Sequence, residues 1–79
     1  MKTTAQILNG IRPEADYAAS SNFIADGLLD SLDIIRLVSE LDANYGISIE
    51  GNDIVSRNFV DLASIEGLIE RARRGTAGS

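Results

Sequence analysis

The chain has 79 residues, twelve of them acidic and seven basic, for a formal net charge of −5. That length allows one small domain, near the lower limit for a core that holds without staples. Cysteine and histidine are both absent, which excludes disulfides, thiolate nucleophiles, zinc–thiolate sites and the commonest general base, and leaves helix packing to supply stability.

The acidic balance argues against nucleic acid and anionic membrane surfaces; it suits partners with a basic patch and, equally, plain solubility. Charged or polar residues interrupt every apolar stretch, so no membrane span is expected. The opening MKTTAQILNG has one lysine and no apolar run of signal-peptide length, which points to a soluble cytoplasmic protein.

In chain order, Thr3 or Thr4 can cap a first helix that places Ile7, Leu8 and Ile11 on one face. Asn9-Gly10 weakens its interior, and Pro13 ends it at about Arg12 by clashing with a continuing turn. Residues 13 to 30 form a long loop anchored by Phe23 with Ile24, and loops of that length leading to an exposed helix start often carry function. The second helix runs from about Ser31 to Tyr45. Ile34, Leu37, Val38, Leu41 and Tyr45 make one apolar stripe on it, and Gly46 follows as a left-handed cap. Ile47-Ser48-Ile49 alternates too briefly for a strand and reads as a buried connector. A short third helix is expected over about Asn52 to Arg57. Asp61 can cap a last helix in which Leu62, Ile65, Leu68, Ile69 and Ala72 face inward. Residues 1–74 then form the domain, and Gly75 to Ser79 a flexible tail. The expected fold is all-α, a small four-helix bundle of three longer helices and one short one.

Ser31 stands where the loop gives way to the second helix, and it has two readings. In the plain one, Asp30 or Ser31 caps the first turn and Asp33 adds a favourable negative charge there. Three features favour a chemical role. Leu32 and Ile35 lie off the core stripe and give the helix a second, partly exposed apolar face beside the serine. A helix N-terminus stabilises anions, which suits a phosphodiester on that hydroxyl. The chain also lacks catalytic equipment of its own, so a chemical function needs an imported group.

Phe23, then Asp26-Gly27-Leu28-Leu29-Asp30-Ser31-Leu32-Asp33, then the apolar helix, resembles the acyl carrier protein family. Ile47-x-Ile49 after the second helix and Phe59 before the last extend the resemblance from about Ile7 to about Ile69. It implies an acyl-carrier-like bundle in which Ser31 carries 4′-phosphopantetheine, attached from coenzyme A by a phosphopantetheinyl transferase that uses magnesium. The arm's thiol would hold an acyl cargo as a thioester for partner enzymes of fatty-acid, polyketide or related biosynthesis. With no cysteine, no protein thiol competes for that cargo. The protein itself would be a non-catalytic monomer that binds no metal and contributes tethering, hence high effective concentration.

The same resemblance makes Asp30 and Asp33 candidates for docking basic partner surfaces, with Leu32 and Ile35 adding local apolar contact. Helix-start electrostatics is an equal alternative for each acid, while Glu66 and Glu70 read as solvated helix surface. Arg36 interrupts a face that is often uniformly acidic in the family. Glu50-Gly51 stands where a proline often follows the isoleucine matching Ile49. DGLLDS differs from the glycine-alanine form of housekeeping fatty-acid carriers and looks closer to dedicated ones, D-alanyl carriers included. An aminoacyl (D-alanyl or peptidyl) carrier is therefore one alternative; a helical interaction domain in which Ser31 is only a cap is the more distant one. An enzyme is the poorest reading, since no cluster supplies nucleophile, base and oxyanion donors together.

Overall fold

In the computed structural model, which describes residues 2–77, three α-helices pack around one core: α1 (Thr4–Ile11), α2 (Ser31–Tyr45) and α3 (Leu62–Ala77). Three 3₁₀ turns, Tyr17–Ala19, Gly51–Asp53 and Ser56–Asn58, punctuate the connections. The described residues include no strand.

Each α-helix starts on a side chain that satisfies an orphan amide. Thr3 caps α1 in a capping box: its hydroxyl accepts from the Gln6 amide at 3.2 Å, and the Gln6 side chain accepts from the Thr3 amide at 2.9 Å. Thr4, the other candidate cap, is instead the first helical residue, buried with its hydroxyl 3.3 Å from that of Tyr45. The helix closes at Arg12, whose amide donates to the Leu8 carbonyl, just before Pro13. α2 has the expected bounds, and Gly46 ends it with φ of 64°. A Cβ there would meet nothing within 4 Å, so the left-handed backbone alone calls for glycine. Asp61 caps α3 by accepting from the Ser64 amide at 2.7 Å. That bond, followed by the Ser64 side chain, holds the Asp61 carboxyl below its ordinary pKa.

The core draws Ile7 and Leu8 from α1, the stripe Ile34, Leu37, Val38 and Leu41 from α2, and Ile65, Leu68 and Ile69 from α3. Phe23, Leu29, Ile47, Ile49 and Phe59 fill it from the connections. Ile47 and Ile49 are buried on either side of exposed Ser48, as a buried connector requires. The long loop is stitched down at Phe23, whose amide donates to the Val60 carbonyl at 2.6 Å. Tyr17 meets the Phe23 ring edge-on at 5.0 Å and donates its hydroxyl to the Leu8 carbonyl. Burial raises the Tyr17 pKa.

Three expectations need correction. The segment Asn52–Arg57 is not an α-helix: two 3₁₀ turns replace it, closed by Ile54 amide to Gly51 carbonyl and Phe59 amide to Ser56 carbonyl bonds. Asn58 donates to the Asp53 carbonyl across the break, so i→i+3 turns and a side-chain bond satisfy a stretch too short to propagate a helix. Leu62 does not face inward; as the first residue of α3 it is 41 % exposed. The last helix also runs on to Ala77, three residues into the expected tail, while residues 78–79 lie outside the described residues.

Candidate functional site

The first turn of α2 gathers the residues singled out by the sequence. Asp30, not Ser31, is the cap: its carboxylate accepts from the Asp33 amide at 2.9 Å. The Asp33 amide is also the main reason the Asp30 carboxyl sits below its ordinary pKa, with Arg12 and the Leu32 amide adding to it. Ser31 therefore occupies the first helical position, exposed, and its hydroxyl bonds to no described residue. The capping role falls to its neighbour.

Leu32 and Ile35 are exposed by 66 % and 60 %. They flank Ser31 on the solvent side, while the core stripe of the same helix is buried. Arg36, one residue further, is exposed as well.

Asp33 lies elsewhere than a docking carboxylate should. It is buried, and its Oδ2 meets the Arg12 guanidinium at 2.6 Å and accepts from the Asp30 amide at 3.2 Å. Its charge is spent inside the protein, so the expectation of a partner contact through Asp33 gives way to an internal one. Burying a carboxylate is tolerable only with such a partner and further hydrogen bonds.

Arg12 is the residue that sequence reasoning missed. One arm of its guanidinium pairs with Asp33 and passes 3.7 Å from Asp30; the other donates to the Gly27 carbonyl at 3.1 Å. It thus joins the end of α1, the turn at Gly27 (φ 74°) and the first turn of α2. Arg12 and Asp33 are 21 positions apart in the chain, and no local pattern signals a pairing at that distance.

The anion argument changes in detail. The Leu32 and Asp33 amides already face the Asp30 carboxylate, so no free amide cradle stands at this helix start. Accessibility of the hydroxyl and the apolar pair beside it are what the site offers. Among the described residues, clefts lie elsewhere. One of about 570 Å³ is lined by Leu8, Tyr17, Phe23, Leu62 and Ala63 among others, and one of about 230 Å³ by Ile7, Ile11, Arg36 and Glu40 among others; neither includes Ser31. Among the described residues no group of three or more acidic side chains is placed to hold a metal ion, and no helix is long and apolar enough to cross a membrane.

Comparison with protein-family models, with curated proteins and with solved structures returns no match to this chain.

Proposed function

We propose that this chain is an acyl carrier protein, with Ser31 as the attachment point of a 4′-phosphopantetheine arm. The observation that carries the reading is the division of labour at the start of α2. Asp30 does the capping, which leaves an exposed serine hydroxyl without an internal partner beside Leu32 and Ile35. A serine kept only as a cap would be expected to accept an amide, and this one does not.

The residues present fit such a group. Ser31 Oγ is accessible to a transferase, and the arm it would receive supplies a thiol for thioester chemistry that the chain itself lacks. Leu32 and Ile35 would give a partner enzyme an apolar foothold, Arg36 and Asp30 the flanking charges. The buried core beneath Ser31 holds the attachment point on a rigid element, so the reach of the arm sets the effective concentration of cargo. On this reading the three α-helices and the 3₁₀ segment between α2 and α3 form an acyl-carrier-like bundle, cytoplasmic and monomeric, that meets a phosphopantetheinyl transferase and the enzymes that load and process its cargo.

An aminoacyl cargo would use the same site. The exposed Leu32–Ile35 pair would also serve an unmodified interaction domain. Intact mass of the protein isolated from its native host separates all three. The carrier reading expects the chain plus phosphopantetheine, with any further mass reporting an acyl or aminoacyl cargo. Only unmodified chain, under conditions where the host's other carriers are modified, would favour the interaction domain.

A further inference from the structure

Arg12 makes a tie that reaches beyond its pairing with the buried Asp33 carboxylate. It leaves the end of α1 and grips two points that bracket the approach to Ser31: the Gly27 carbonyl at 3.1 Å and the buried Asp33 carboxylate at 2.6 Å. Asp33 Oδ2 in turn holds the Asp30 amide at 3.2 Å, and Asp30 caps the helix through the Asp33 amide. Cut at Arg12, the segment 27–30 keeps its attachment at Phe23, where the Leu28 and Leu29 amides donate to the Phe23 carbonyl. It loses the bridge from the Gly27 carbonyl to Asp33, while the Asp30 cap and the Ile34 amide still tie its far end to α2. The planar fork suits two simultaneous acceptors, which a lysine ammonium cannot reproduce in the same geometry.

We infer that Arg12 is a positioning residue: by clamping the Gly27 turn to the first turn of α2, it sets how the Ser31 hydroxyl is presented to the enzyme that modifies it. This rests on the carrier reading of Ser31 and adds a residue that never touches the transferred group.

The test compares the full-length wild type with Arg12→Lys, Arg12→Met and the double variant Arg12→Met/Asp33→Asn. Each is held at a low temperature where far-UV circular dichroism shows it folded. Two quantities are read: kcat/KM for transfer of phosphopantetheine from coenzyme A by a broad-specificity transferase, and amide hydrogen exchange along the chain. Arg12→Met should lower kcat/KM about tenfold or more, since small misplacements of a reacting group have large effects on rate. Exchange should quicken at Asp30, whose amide rests on the carboxylate that Arg12 holds, while the Leu37 and Leu41 amides stay protected. Arg12→Lys should fall between. The double variant removes the stranded buried charge and should regain stability without regaining rate.

Rates that recover in step with stability in the double variant would reduce Arg12 to a merely structural role, and a folded Arg12→Met with wild-type kcat/KM would overturn the proposal outright. If the wild type itself takes up no group, the carrier reading is what fails. The exchange data still judge the clamp: quickening confined to residues 27–30 supports it, and unchanged exchange there refutes it.

Discussion

Leu37 sits in the middle of the α2 stripe with no exposed surface, and Leu37→Ala measures how much of the fold depends on that stripe. The substitution deletes three carbon groups from a site that water does not reach, a transfer loss of about 2.4 kcal/mol at ~0.8 kcal/mol per group. The cavity left behind adds to it, and the combined loss should fall within roughly 2–5 kcal/mol. A chain of 79 residues has a total stability of about 4–12 kcal/mol, so one methyl-rich side chain accounts for a large share. In urea the effect is a lower midpoint at unchanged slope; a 3 kcal/mol loss with a slope of about 1.2 kcal/mol/M shifts the midpoint by about 2.5 M. Leu32→Ala on the same helix is the control. Leu32 is 66 % exposed and alanine is the better helix former, so its stability should stay within about 0.5 kcal/mol of wild type. Equal midpoints for the two variants would mean that the buried and exposed faces of α2 have been assigned wrongly.

The remaining predictions concern charge. Asp30→Asn keeps a good cap and removes only the charge, so it should slow phosphopantetheine transfer mainly at low salt. Equal slowing at every salt concentration would point to local distortion instead. Asp33 is left out of that experiment because it is buried against Arg12. Folding should also weaken in acid. Asp30 and Asp61 are both held below their ordinary pKa, chiefly by the amides of Asp33 and Ser64 respectively. A carboxyl with a depressed folded-state pKa contributes stability that is complete above its unfolded value, about 3.9, and is lost as pH falls through the folded value. The urea midpoint should therefore drop below about pH 4, and drop less in Asp30→Asn/Asp61→Asn; identical pH profiles would contradict these cap assignments.

What could be read from the residues follows the range of the interactions involved. α2 was legible from end to end because its signals are local: an acidic cap, five apolar residues at helical spacing, and a glycine directly after Tyr45. The exposure of Leu32 and Ile35 came from the same periodicity. The stretch Asn52–Arg57 contains too few turns for spacing to distinguish an α-helix from successive 3₁₀ turns. Leu62 fits the inward spacing of its helix, yet a residue at the first helical position can still project past the end of the core. Asp33 shows the limit most clearly. A carboxylate in a first turn reads as a solvated charge, and only the arrival of Arg12 from α1 turns it into a buried one. Leu29 is buried for a similar reason, because the loop is folded back on Phe23 rather than because of any pattern around it.

The central claim is that Ser31 is a modification site and not a cap, and the modification itself is the measurement that tests it. Purified protein incubated with coenzyme A, magnesium and a broad-specificity phosphopantetheinyl transferase should gain the mass of one phosphopantetheine and no second. Ser31→Ala should gain nothing although seven other serines remain. Because Asp30 supplies the cap, that variant should keep the circular dichroism and urea midpoint of the wild type within about 0.5 kcal/mol. A folded variant that stays unmodified separates chemistry from capping. A wild type left unmodified by several such transferases, or a Ser31→Ala protein that still accepts the group, would contradict the account.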